Sequence, residues 1–412
     1  MGQEKFFLGR QPILDINQKI IGFELLFRSA ESLCSANITD SFQASASVII
    51  NALTDFGTNE VLGRHKGYFN VDLEMLMSDS LELLPREQVV VELLETIEIN
   101  SQVIERCREL KKQGFTIALD DHEYNPAFEE LYTLTDIIKV DILQTSPERI
   151  PEMMQLLKRW PLTMLAEKVE TAEQYAFCSA QGFQLFQGYF FAHPVVLKQK
   201  RVDIAQLTLT KLLEKVMREA ELSEIEETFK ENPNLTYNLL RLVNSVAIGL
   251  RERIKTLRHA LMVLGLQQLK RWIMLALYAS KSDQGVFSPL LEIAASRGKL
   301  MELLVKKQQA LLVNTDFSDR AFMTGVLSLV DSLFEVSMEE MVQQLNLDDD
   351  IRRALLAREG ILGHFLQLTE TVEQADFKMA SQLMNRTKLT PDHLLEAQLE
   401  TINWTNGLTG MV

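Results

Sequence analysis

Apolar residues follow two different rhythms along the chain. Up to about residue 195, short apolar runs recur, each carrying a polar residue inside it or at its end: "KIIGFELLF", "GYFNVDL", "QVVVELL", "FTIALDD", "DIIKVDI", "LTMLAEK" and "FQLFQGYFF". Short apolar runs bounded by polar and turn residues are strand signals. Helical stretches lie between them, such as "SQVIERCRELKKQG", where Gly114 supplies a C-terminal stop. Strands separated by helices predict parallel pairing through crossovers, and seven or eight of them predict a closed, TIM-like α/β barrel.

Beyond "VVLKQKRVD" the strand pattern fades. Helical periodicity replaces it in "LTLTKLLEKVMREAE", "SPLLEIAASRGKLMELLVKKQQALL" and "SMEEMVQQL". The pattern predicts two domains, an α/β barrel over 1–198 and an all-α domain over 199–412. No glycine-rich linker separates them, so a short joint is expected.

Composition narrows the class. With 412 residues and 46% hydrophobic content the chain can fill full cores. Cys34, Cys107 and Cys178 are scattered and odd in number, which excludes a disulfide framework or a cysteine zinc site and fits a reducing, cytoplasmic setting. The start "MGQEKFFLGRQ" has no signal-peptide pattern and the longest apolar runs are short, so neither export nor membrane insertion is expected. The net charge of −15 argues against nonspecific nucleic-acid binding. Residues 1–198 hold 17 Lys and Arg against 29 Asp and Glu, a balance of −12, so the acidity is concentrated in the barrel half.

The polar interruptions are the candidate chemistry. Glu24, Asn70, Glu92, Asp120 with Asp121, Lys139 with Asp141, Glu167 and Gln187 each break or end an apolar strand. Burying a charge is costly unless it is paired or metal-bound, and strand ends in a parallel barrel converge on one mouth. An all-oxygen set of Glu, Asp and Asn suits a hard cation, Mg²⁺ or Mn²⁺, in place of zinc. On these residues alone, a two-metal phosphoryl-hydrolysis site and a structural salt-bridge network both remain open.

"RQPILDINQKIIGFELLFR" resembles the opening of EAL domains, the cyclic di-GMP phosphodiesterases, with Glu24-Leu25-Leu26 standing at the Glu-Ala-Leu signature and Arg28 at the family's arginine. The match continues through Asn70, Glu92 in "VELLET", the paired Asp120-Asp121, Lys139 in "IIKVD", "AEKVET" and the closing "QGYFFAHP", over nearly all of residues 6–195. The resemblance implies that Glu24, Asn70, Glu92 and Asp120 hold one Mg²⁺ or Mn²⁺, and that Asp120 and Asp121 reach a second. It further implies that Lys139 positions the attacking water and that Glu167 is a further ligand or base. Gln187 would orient water or ligand, and Gln11 and Arg28 would contact the dinucleotide.

Three departures accompany the match. The family's glycine-rich turn after the aspartates is replaced by "HEYNPAFEEL", Lys168 stands where the family has glycine, and Leu25 replaces the signature's alanine. Loss of the turn glycines removes backbone conformations that arrange the second metal, and Pro126 fixes one φ. His122 in this loop reads either as a solvated histidine or as a replacement ligand or proton carrier. His65 and His193 lie outside the ligand pattern.

In the second half, "FKENPNLTYNLLRLVNSVAIGLRERIKTLRHALMVLGLQQLKRWI" resembles HDOD domains, helical relatives of HD phosphohydrolases, most clearly over residues 205–280. The chain has no His-Asp dipeptide, and His259, His364 and His393 show no ligand spacing. The implied role is non-catalytic: regulation, or binding of a protein partner. The combined resemblance implies hydrolysis of cyclic di-GMP to linear pGpG in second-messenger control of motility and biofilm. Its alternative is a cyclic di-GMP receptor or interaction module without turnover. A homodimer is left open.

Overall fold

The structure, a computed structural model, describes residues 6–29, 62–190, 204–230, 257–279, 289–308, 316–334, 337–345 and 347–409, with positions 235, 236 and 239 besides. It divides into two compact units, Met1–His193 with Gln367–Val412, and Pro194–Leu366.

The first unit is built on a closed barrel of eight strands in chain order: β1 (Phe6–Asp15), β2 (Ile20–Ser29), β3 (Lys66–Val71), β4 (Val89–Leu93), β5 (Thr116–Leu119), β6 (Ile137–Asp141), β7 (Thr163–Glu167) and β8 (Leu185–Gln187). Neighbours from β2 to β8 pair in parallel, but β1 is antiparallel to both β2 and β8. The seven strands read from the sequence, β2 to β8, pair in parallel as expected, and β1 is an eighth strand outside that reading. Gly9, Arg10 and Pro12 break up the apolar run of β1, and no crossover helix announces it. A tight turn joins β1 to β2 instead, with the Asp15 carboxylate accepting from the N–H groups of Asn17 at 2.8 Å and Lys19 at 2.9 Å.

Strand alternation sorts the barrel into layers. Ile13, Tyr68, Val90, Ala118, Ile137, Leu165 and Leu185 fill the interior. The opposite faces meet the surrounding helices in a larger core that includes Leu14, Phe69, Val91, Ile117, Ile138 and Ala166. Among those helices, α1 (Leu73–Met77) is capped by Asp72, and α2 (Ser101–Gln113) starts at an Asn100 cap and stops at Gly114, φ 95°, as its sequence predicts. Short α3 (Glu129–Tyr132) and α4 (Arg149–Leu157) follow, and α5 (Ala172–Gln181) opens with a Thr171/Gln174 capping box.

The second unit is helical. It contains α6 (Ile204–Met217), α7 (Leu222–Lys230), α8 (Leu257–Ala279), α9 (Pro289–Lys307), α10 (Asp316–Leu327), α11 (Val330–Phe334), α12 (Met338–Leu345), α13 (Asp349–Ala357) and the start of α14 (Gly360–Glu373). Gly298 on α9 and Gly325 on α10 let these helices nearly touch: a Cβ on Gly325 would fall 2.7 Å from the Gly298 backbone. By length and composition Leu257–Leu277 could cross a bilayer. It is interrupted at Gly265, φ 73°, with Leu261, Leu269, Ile273 and Leu277 buried and Met262, Val263 and Leu266 exposed. Most of the "LLRLVNS" motif lies outside the described residues.

One boundary changes. The sequence pattern assigns 199–412 to a single helical domain, but Gln367–Val412, with α15 (Phe377–Thr387) and α16 (Pro391–Thr409), belongs to the barrel unit. The cause is packing: Ile402, Leu395 and Leu399 on α16 join the barrel's outer core, and Gln398 Nε2 donates to the Leu8 carbonyl at 2.5 Å.

A candidate metal centre at the barrel mouth

Moving two residues toward the mouth from the interior layer reaches a polar residue on every strand. Ile13 gives way to Gln11, Gly22 to Glu24, Tyr68 to Asn70, Val90 to Glu92, Ala118 to Asp120, Ile137 to Lys139, Leu165 to Glu167 and Leu185 to Gln187. The period of two therefore projects all eight side chains into one ring.

Lys139, almost fully buried, stands at its centre. Its Nζ lies 2.9 Å from Asp120 Oδ1, 2.9 Å from Glu167 Oε1 and 3.4 Å from Glu24 Oε2, and it also donates to Glu92 Oε1. Asn70 Nδ2 donates to Glu24 Oε1 at 2.9 Å, and Gln187 Nε2 donates to Glu24 Oε2 at 2.7 Å and to Gln11 Oε1 at 2.9 Å. The sequence-predicted set thus converges, with one exception. Arg28 takes its place on β2 opposite Phe7, but its side chain is outside the described residues. His193 is also outside them.

Backbone bonds hold the aspartates in place. Asp120 N–H donates to the Leu93 carbonyl at 3.0 Å and His122 N–H to the Lys139 carbonyl at 2.9 Å, while Asp121 between them has φ 41°. Burial, then the charges of Glu167 and Glu24, push the Asp120 carboxyl up to about 9. Burial pushes Glu167 up to about 7, with Lys139 opposing and Glu24 reinforcing the rise. Glu24 is also desolvated, yet the Lys139 ammonium and the Gln187 and Asn70 amides hold it below the usual carboxylate range.

The ring has more acceptors than internal donors. Asn70 Oδ1, Glu92 Oε2, Glu167 Oε2 and Gln187 Oε1 are buried oxygens without hydrogen-bond partners. Orphaned polar atoms are costly, and these four are all electron-pair donors of the hard-oxygen type. Two groups have ligand oxygens within 4.8 Å of one another, Glu24 with Glu92 and Glu167, and Asp120 with Asp121 and Glu167. The donor set therefore fits hard divalent cations.

The altered loop is ordered by aromatics in place of glycines. Tyr132 Oη accepts from Asn125 N–H at 2.9 Å, donates to the Asn125 carbonyl at 3.2 Å and lies 2.7 Å from His122 Nε2. His122 is neither solvated nor a replacement ligand. It is buried against Phe128 and Tyr132, and burial pushes its pKa down to about 4. His65 likewise packs edge-on to Phe23, with its pKa pushed down to about 4 by burial and by Arg10. Sequence reading passed over Tyr132, whose position at the end of an apolar stretch gives no sign of this role.

Lys168 explains its own departure. Its φ of 57° lies in the left-handed region that suits glycine, the residue the family carries there. Its Nζ pairs with the buried Asp141 carboxylate, which also accepts from Leu143 N–H at 2.8 Å and Gln144 N–H at 3.2 Å. Its charge also reaches Asp121 and Glu167.

Comparison with known proteins bears on both halves. The EAL domain model matches residues 1–194 and the HDOD domain model residues 205–361. The uncharacterized protein YuxH of Bacillus subtilis (strain 168) is 31% identical over 98% of this chain and 99% of its own length. The cyclic di-GMP phosphodiesterase CdgJ of Vibrio cholerae is 30% identical over 98% of this chain and 94% of its own. Among solved structures, a manganese and cyclic di-GMP complex of Klebsiella pneumoniae BlrP1 is 22% identical with a TM-score of 0.38, covering 46% of this chain and 56% of that one. Matched along almost its whole length to proteins of the same two-part build, this chain belongs to the family that joins an EAL domain to an HDOD domain.

Proposed function

We propose that the barrel hydrolyses cyclic di-GMP to linear pGpG, using Mg²⁺ or Mn²⁺ held by Glu24, Asn70, Glu92, Asp120 and Asp121. The observation that carries this reading is the set of buried, unpartnered oxygens on Asn70, Glu92 and Glu167 within the two acidic groups. Bound divalent cations would polarise the phosphodiester and acidify the attacking water. The chain's own residues do the rest. Lys139, anchored by Asp120 and Glu167, directs its ammonium to where water is held. Glu167 is placed to take the water's proton, and Gln187, tied to Gln11 and Glu24, presents its free Oε1 as an orienting acceptor. Water oxygen bonds to phosphorus, the bond from phosphorus to one ribose 3′ oxygen breaks, and that oxygen takes a proton from solvent and leaves as a hydroxyl. Gln11 and Arg28 grip the dinucleotide, Arg28 through paired hydrogen bonds to phosphate.

The similarity to CdgJ, a cyclic di-GMP phosphodiesterase, supports this assignment of substrate. To the helical unit, matched by the HDOD domain model over residues 205–361, we assign a regulatory or partner-binding role. A cytoplasmic setting is consistent with the free, buried Cys107 and Cys178.

A second reading, binding without turnover, is favoured by Lys168, whose positive charge beside Asp121 opposes a second cation. Incubating the purified protein with cyclic di-GMP and either cation distinguishes the two. Metal-dependent appearance of pGpG, lost in Glu24→Ala and Asp120→Ala by several orders of magnitude, supports hydrolysis. Binding without product supports the receptor.

A further inference from the structure

We propose that the turn from Gln374 to Phe377 is a strap lying on the ligand face of the β1–β2 ribbon, and that cyclic di-GMP must displace it to bind. This rests on the substrate reading above and adds a regulatory element to the same site.

The argument begins with register. β2 pairs with β3 only over Gly22–Leu25, and β1 pairs with β8 only over Ile13–Asp15, but β1 and β2 stay paired out to Phe6 and Ser29. The outer part of the pair therefore overhangs the mouth as a two-stranded ribbon. Alternation places Phe7, Gly9, Gln11 and Ile13 on one face of β1. Ile13 lies inside the barrel and Gln11 in the polar ring, so Phe7 and Gly9 continue that face outward. In the ladder, Gln11 is opposite Glu24, Gly9 opposite Leu26 and Phe7 opposite Arg28. A dinucleotide that touches both Gln11 and Arg28 must lie along this stretch.

That stretch is covered. Phe7 and Gly9 are buried. The Phe7 and Phe377 rings lie 5.8 Å apart, and a Cβ on Gly9 would come within 2.9 Å of the Phe377 ring and 3.1 Å of Ala375 Cβ. Glycine at position 9 is what lets the turn approach so closely. At the inner end, Gln11 Nε2 donates to the Gln374 carbonyl at 3.5 Å, a long bond that occupies the amide a ligand would use. The turn itself is held in a left-handed kink, Ala375 at φ 58°, before Asp376 caps α15 through Met379 N–H at 3.0 Å. A strained non-glycine residue over a binding face is a feature of switch segments. The strap lies outside both matched domain models, and it is the continuation of α14, whose first residues belong to the helical unit.

Two substitutions in the turn itself supply the test: Phe377→Ala removes the ring that lies over Gly9, and Ala375→Gly relieves the left-handed strain and so settles the turn in place. Binding of cyclic di-GMP is measured by calorimetry with Ca²⁺ as the cation, for wild type and both variants. The strap predicts binding about fivefold tighter than wild type in Phe377→Ala and about threefold or more weaker in Ala375→Gly. Equal affinities in all three overturn the strap and leave the substrate reading intact. Weaker binding by Phe377→Ala also overturns it, since the turn would then be a supporting wall. No binding in any form overturns the substrate reading, and the strap with it.

Discussion

Replacing Lys139 by methionine tests the electrostatic balance of the ring. The ammonium is the one cation in contact with Glu24, Glu92, Asp120 and Glu167 among the described residues, and methionine keeps most of its volume while removing the charge. Once ionised, a carboxylate 2.9 Å from the ammonium is attracted by about 6 kcal/mol at an effective dielectric of about 20, most of it offset by desolvation. Breaking such a buried arrangement from one side costs about 3–5 kcal/mol, because the carboxylates stay behind unbalanced. The pH dependence follows from the raised acids. Asp120, near 9 in the folded chain against an ordinary 3.8, and Glu167, near 7 against 4.5, keep protons that the unfolded chain has released. Their contribution to stability therefore falls as pH rises from about 4 toward 9, and the Lys139→Met penalty grows in the same direction. Urea unfolding would be followed by fluorescence of Trp160 and Trp404 in a Trp272→Phe background, at pH 5, 6.5 and 8, with chelator or with Mn²⁺. The expected result is a loss of about 3–5 kcal/mol at pH 8 with chelator, smaller at pH 5, and at least half restored by Mn²⁺. Unchanged stability at pH 8, or no recovery with Mn²⁺, would refute the picture of an anionic ring needing a cation.

Other substitutions separate individual roles. Lys139→Ala should lower kcat far more than it weakens cyclic di-GMP binding, whereas Arg28→Ala should weaken binding by about 1–3 kcal/mol with a smaller effect on kcat; steady-state kinetics beside calorimetry reads the difference. Tyr132→Phe removes the hydroxyl shared by Asn125 and His122 and should cost about 1–3 kcal/mol in urea unfolding, with faster amide exchange confined to residues 122–130. Lys168→Gly removes both the left-handed strain and a positive charge near Asp121, so Mn²⁺ titration should show the weaker of two sites tightening by about fivefold or more. A titration identical to wild type would remove Lys168 from the site's electrostatics.

The ring could be read from sequence because a strand's period of two is strict. Once Val90, Ala118 and Leu165 are placed inside, Glu92, Asp120 and Glu167 follow without further information. β1 escaped the same logic, since Gly9 and Pro12 interrupt its pattern and its partner is reached by a hairpin. The loop after Asp121 lacks the turn glycines, and its order comes from Tyr132, ten residues past His122, through contacts that no local pattern encodes. Lys168 was visible as a departure, but its backbone conformation was not, because φ does not follow from residue type. Fold class and ring composition are period-driven and local, while ordering contacts are tertiary.

The C-terminal helices carry the same lesson into domain logic. Their sequence is amphipathic like that of the helices before them, so periodicity alone joins them to the all-α half, and contacts decide otherwise. Gln398 satisfies the Leu8 carbonyl on β1, and Phe377 covers the strand beside Gln11. A chain cut after residue 198 would lose these groups together with the helical unit. It would expose Phe7 and leave the outer core without Ile402, at about 1.5–3 kcal/mol for each large apolar side chain returned to water. Low activity in such a fragment would therefore report a barrel missing part of its own wall, and says nothing about regulation. A regulatory role for the helical unit is open to test only in chains that retain Gln367–Val412, where the barrel is whole and the strap is still in place.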